Sequence, residues 1–91
     1  MAIAVLMEFA GVTQAQYDAV MKDMNLGGEP PSQAVFHVAG PSDGGWRVVD
    51  VWESQEAFEA FASGQIMPLA QKHGMTQPPT VTIWPVHNLL R

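Results

Sequence analysis

The segment Gly45-Trp46-Arg47-Val48-Val49-Asp50-Val51-Trp52 is the strongest constraint on how this chain can fold. It reads as a β-strand, whose successive side chains point to opposite faces. Both faces are mostly apolar: Trp46, Val48 and Trp52 on one, Val49 and Val51 on the other. A strand of this kind needs cover on both sides. The chain has only 91 residues, enough for one domain spanning 1–91, and helices from so short a chain cover one face of a sheet. The second face calls for a partner subunit, a ligand, or both. Composition points the same way, because 47% of residues are hydrophobic and only 14% charged, against a usual charged share of about a quarter. Assembly as a homodimer is the simplest way to cover the surplus apolar surface.

The rest of the chain supplies the other elements. Residues 2–9 form a short apolar run read as a buried strand. Thr13 with Gln16 three residues later makes a capping box, flanked by Val12 and Tyr17 at the staple positions. Tyr17, Val20, Met21 and Met24 then share one helical face, and Gly27-Gly28 is expected to end that helix before a stiff loop at 29–32. Residues 33–39 read as a second strand, 40–44 as turn, and 45–52 as a third strand. Ser54 caps a second helix with Ala57, Phe58, Phe61 and Ala62 on its apolar side. Ser63-Gly64 interrupts it, and Pro68 opens a further segment ending near His73-Gly74. Residues 80–86 form a last strand, with Pro85 marking a sheet edge. The apolar tail 85–91 is expected to dock, in the dimer, across the partner. The order βαββαβ predicts an α+β, ferredoxin-like fold: a four-stranded antiparallel sheet with the helices on one face.

A turn at 40–45 would set Ala39 beside Trp46 and His37 beside Val48, leaving Asp50 one diagonal step from His37. Alternation then places Val35, His37, Ala39, Trp46, Val48, Asp50 and Trp52 on one face. Phe36, Val38, Arg47, Val49 and Val51 take the other, which is more uniformly apolar and is expected to meet the helices. The face with His37 and Asp50 is expected to border a cavity or a dimer seam.

Several function classes are excluded. The net charge is −5 and the four basic residues (Lys22, Arg47, Lys72, Arg91) are scattered, which leaves no footprint for nucleic acid. Without cysteine there is no disulfide, thiolate nucleophile or Cys-ligated metal. No run approaches a membrane span, and the N-terminus lacks the pattern of a signal peptide, so a cytoplasmic protein is expected. His37, His73 and His87 lack the spacing of a metal site, and no phosphate loop, nucleophile elbow or dinucleotide fingerprint occurs. No metal and no cofactor are expected.

Among side chains with chemistry, His37 and Asp50 form the leading pair: a carboxylate that orients an imidazole makes a general base. The alternative is a structural Asp–His hydrogen bond at the subunit interface. Trp46, Trp52 and Trp84 would make an aromatic box for a planar ligand, or alternatively serve as core and interface anchors. Tyr17 is a staple residue whose hydroxyl would, on the functional reading, reach the pocket. Glu8 marks a solvent-facing strand end or a partly buried carboxylate.

The stretch Trp46-Arg47-Val48-Val49-Asp50-Val51-Trp52-Glu53-Ser54-Gln55-Glu56-Ala57-Phe58 resembles the dimeric α/β-barrel superfamily, and the βαββαβ order extends the likeness over nearly the whole chain. That group includes antibiotic-biosynthesis monooxygenases, haem-degrading monooxygenases and stress-responsive barrel proteins. The resemblance implies two sheets packed face to face in a dimeric α/β barrel, with a pocket in each subunit. It departs from the haem-degrading branch, which has a tryptophan where Phe61 stands and an asparagine in the region of Met7-Glu8; His73 is the nearest counterpart to that branch's axial histidine. The implied function is a small homodimeric, cofactor-independent monooxygenase or isomerase acting on an aromatic or polyketide-like molecule. A non-catalytic ligand-binding or stress-associated dimer is the alternative, and haem binding at His73 a third.

Overall fold

The computed structural model describes residues 1–29 and 31–90. Pro30, in the expected stiff loop, and Arg91, at the end of the expected docking tail, lie outside the described residues. The elements are β1 (Ile3–Ala10), α1 (Gln14–Met24), β2 (Ala34–Ser42), β3 (Gly45–Trp52), α2 (Gln55–Phe61), a π-helical turn (Ala62–Ile66), α3 (Met67–Lys72) and β4 (Thr80–Pro85). The strands make one antiparallel sheet in the order β2-β3-β1-β4. This is the ferredoxin-like arrangement, with the two crossover connections carrying the helices.

Local chemistry explains the boundaries. The capping box forms as read: Gln16 N–H donates to Thr13 Oγ1 at 3.2 Å and Thr13 N–H donates to Gln16 Oε1 at 3.0 Å. Thr13→Ala removes one of those acceptors and is expected to lower stability by about 1 kcal/mol, measured by urea denaturation; an unchanged midpoint would show that the cap contributes nothing. Helix α1 stops at Met24, earlier than Gly27-Gly28, because Asn25 takes the left-handed conformation (φ 56°) and its N–H closes the last turn. Ser54 caps α2, accepting from Ala57 N–H at 3.1 Å.

The β2–β3 hairpin differs from the expected register. Residues 40–42 do not form the turn; they extend β2, and Asp43-Gly44 alone turns the chain, with Gly44 at φ 79°. Gly44 supplies the left-handed residue that the reversal needs, and Pro41 is tolerated because β2 is an edge strand. His37 therefore lies directly opposite Asp50, and Ala39 opposite Val48. A bulge at 34–36 separates this register from Ala34 opposite Trp52.

The faces are also exchanged relative to expectation. The core joins Ile3, Val5, Met7 and Phe9 of β1 with Trp46, Val48 and Trp52 of β3, under Val12 and Phe58. The face that carries His37 and Asp50 is thus the one beneath the helices. The uniformly apolar face is open: Leu6, Phe36 and Val49 are half-buried there, while Val38 and Trp84 are 49% and 43% exposed. The helix-covered face can hold polar groups because they satisfy one another, whereas on the open face the polar groups Glu8, Arg47, Thr80 and Thr82 lie beside the apolar centre. Val86 N–H donates to the Ala2 carbonyl at 3.0 Å, and in the tail beyond it Leu89 and Leu90 are exposed, Leu90 almost fully. Among the described residues, no helix is long and apolar enough to cross a membrane.

Candidate active site

Strand pairing brings His37 of β2 against Asp50 of β3, and α1 lays Tyr17 over both. His37 Nδ1 lies 2.6 Å from Asp50 Oδ1, and His37 Nε2 lies 2.6 Å from the Tyr17 hydroxyl. The other Asp50 oxygen accepts from the Trp52 indole N–H at 3.2 Å. A carboxylate only accepts, so in a neutral imidazole Nδ1 carries the proton toward Asp50 and Nε2 accepts from Tyr17. The result is a directed chain from the Tyr17 hydroxyl through His37 to Asp50, with Trp52 steadying the far oxygen. Asp50 is buried, while His37 keeps a partly exposed ring. Burial of Tyr17, with the nearby Asp50 and Asp18 charges, pushes its phenol above the ordinary value of 10.0. Tyr17 thus stays protonated near neutral pH and serves as a donor.

These groups sit on the wall of a cavity of about 610 Å³ between α1, the following loop, the sheet and the α2–α3 helices. Its size falls in the usual range for small-molecule sites, about 300–1,000 Å³. Tyr17, His37, Trp46, Asp50 and Trp52 all line it, among apolar walls that include Met7, Phe9 and Ile66. The Tyr17 ring lies nearly parallel to the imidazole (5° between planes) and 5.2 Å from Trp46. Among the described residues, the Trp46 indole N–H is the buried side-chain polar group that lacks a hydrogen-bond partner, a state that costs roughly 1–3 kcal/mol.

Two other candidates fall elsewhere. Trp84 is on the open face of the sheet, paired with Ala4, so the three tryptophans do not form one box. His73 caps the end of α3, where its Nε2 lies 2.7 Å from Asp23 Oδ2, and it is not among the cavity-lining residues. The same oxygen holds Lys72 Nζ at 2.9 Å. Hydrogen bonds from Lys72 and His73 keep the Asp23 carboxyl below its usual range. This cluster clamps α1 to α3 and faces solvent. Glu8 is an exposed residue opposite Arg47 and Thr80. Among the described residues, no group of three His, Asp or Glu side chains gathers to hold a metal. The Tyr17–His37 bond had no local signal in the sequence, because it depends on where α1 lies across the sheet. The Trp52–Asp50 bond had one: residues two apart on a strand share a face.

No protein-family model matches the chain, and no curated protein matches it. Solved structures do. The chain superposes on Rv0793 from Mycobacterium tuberculosis with a TM-score of 0.71 and 17% identity, covering 100% of both chains. It matches a candidate antibiotic biosynthesis monooxygenase from Chloroflexus aurantiacus with a TM-score of 0.63 at 16% identity, covering 98% of this chain and 97% of that one. The chain shares with these structures an α+β, ferredoxin-like fold. A third such structure is a variant of SnoaB, a cofactor-independent oxygenase from Streptomyces nogalater, with a TM-score of 0.63, 15% identity and coverage of 98% and 95%. Identities this low speak for the shared fold alone.

Proposed function

We propose that this protein is a cofactor-independent oxygenase acting on a phenolic or polyketide-like aromatic molecule, and that it works as a homodimer. The observation that carries the reading is the Tyr17–His37–Asp50 hydrogen-bond chain on the wall of a large, mostly apolar cavity. His37 Nε2 takes a proton from an acidic ring hydroxyl or C–H, either directly once Tyr17 turns aside, or through the Tyr17 hydroxyl as it hands on its own proton. Asp50 holds the Nδ1 proton and stabilises the imidazolium that forms. Deprotonation makes the aromatic ring an electron-rich anion that can itself give an electron to dioxygen, so no cofactor is needed for that step. Trp46 and Trp52 act as walls for the planar ring. The likeness of fold to SnoaB, a cofactor-independent oxygenase, supports this class of chemistry. The open apolar sheet face supports the dimer.

Oxygen consumption with a panel of naphthols and polyphenols tests the proposal. The expected result is protein-dependent uptake that His37→Ala lowers by about 10²–10⁴-fold, the usual contribution of a positioned base. Uptake unchanged in His37→Ala would remove His37 from the mechanism. Ring compounds that bind without any oxygen uptake would favour the non-catalytic binding dimer.

A further inference from the structure

A second cavity of about 390 Å³ lies beyond the end of α3, and four residues line both it and the main chamber: Phe9, Ile66, Ala70 and Met75. The residues that form the partition between the two chambers are therefore all apolar. On its far side the character changes, because Gln71, Thr76 and Gln77 join Pro78 and Pro79 in the lining. We infer that the second chamber is a subsite for a polar-ended arm on the ring-bearing ligand, reached past Met75.

Met75 is built to move its side chain without moving its backbone. Its N–H donates to the Ala70 carbonyl at 2.9 Å, across a left-handed Gly74 at φ 81°, which fixes the chain as it leaves α3. The thioether side chain beyond that anchor is unbranched and has three rotatable bonds. Ile66 ends the π-helical turn, a local widening of the helix that recurs at ligand sites. A ring seated against Trp46 and Tyr17 would project an arm over this partition. The arm's methylenes would contact Phe9 and Ile66, and a terminal amide or hydroxyl would reach the Gln71, Thr76 and Gln77 side chains. The ligand class is thus an aromatic head with a short apolar linker and a hydrogen-bonding end.

The inference rests on the ring-binding reading of the main cavity, and binding measurements separate the two. A naphthol and the same naphthol bearing a butyramide arm are titrated into the protein, following quenching of tryptophan fluorescence. The armed compound is expected to bind about tenfold tighter than the bare one, from burial of the linker and its polar end. Met75→Trp fills the passage and is expected to erase that advantage, read as the ratio of armed to bare affinity within the same variant because Met75 also lines the main chamber. Gln77→Ala, at an exposed position that does not threaten folding, is expected to reduce it in part. An armed compound that binds no better than the bare one, or an advantage that survives both substitutions, overturns the subsite. Absence of oxygen uptake with either compound would instead count against the oxygenase reading and leave the subsite standing.

Discussion

Trp52→Ala is expected to lower the unfolding free energy by roughly 3–5 kcal/mol, the range for truncating a fully buried tryptophan. Trp52 is 2% exposed and is one of the two largest fully buried side chains. Its ring meets Phe58 edge-on at 6.0 Å and Phe61 at 5.1 Å, so it joins β3 to α2. Truncation opens a void between sheet and helix, and it also takes a donor away from the buried Asp50 carboxyl. Small domains hold about 5–15 kcal/mol in all, so a loss of this size consumes a large share of the total. Trp52→Phe keeps most of the ring and loses the N–H, and should cost only about 1–2 kcal/mol plus a small void. Guanidinium denaturation of the two variants separates the packing part from the hydrogen-bond part. A cost below about 1 kcal/mol for Trp52→Ala would mean that the core is not organised around this residue.

Val49→Asp is expected to convert the proposed dimer to monomer at micromolar concentration. Val49 lies on the central strand β3 with Leu6 and Val38 as cross-strand neighbours, in the middle of the open apolar face. A two-fold interface presents the same patch twice, so one substitution places two carboxylates in it, near one another and without partners. Each buried unpaired charge costs several kcal/mol, enough together to shift a dissociation constant by several powers of ten. The isolated subunit should tolerate the change, since Val49 is only half-buried within its own chain. Sedimentation at several concentrations provides the check. A wild-type protein that sediments as a monomer, or a Val49→Asp variant that remains dimeric, would refute the assignment of this face.

Element order and capping were legible in the sequence because they rest on local rules. The Thr13–Gln16 box and the Ser54 cap were written in neighbouring residues, whereas the interruption expected at Ser63-Gly64 is a π-helical turn over Ala62–Ile66 that runs on into α3 without a break. Other features were misread for identifiable physical reasons. Gly40-Pro41-Ser42 has the composition of a turn, but an edge strand accepts proline, so the true turn is Asp43-Gly44 and His37 moves opposite Asp50. The sheet faces were exchanged because uniform apolarity was equated with cover by the chain's own helices. Asp50, His37 and Trp52 sit under the helices as a mutually hydrogen-bonded set, which a count of apolar residues ranks as the more polar face. The pairing of His37 with Tyr17 joins a strand to a helix 20 positions away in sequence, and no sequence spacing announces it.

The π-helical turn at Ala62–Ile66 has a consequence for the phase of the whole second helical arm. Phe58 and Ala70 are both buried and stand 12 positions apart. In an uninterrupted α-helix, 12 steps of 100° leave them about 120° out of alignment, on different sides of the rod. A single π turn absorbs one extra residue, and the remaining 11 steps bring them to within about 20°. The turn acts as a phase correction that lets α2 and α3 present one continuous stripe to the sheet. Deleting one residue from it would leave 11 regular steps and keep the two residues in phase. Winding all 12 steps as regular α-helix would instead rotate Ala70 about 120° away from the cavity, so without that deletion a more regular helix would make a worse wall.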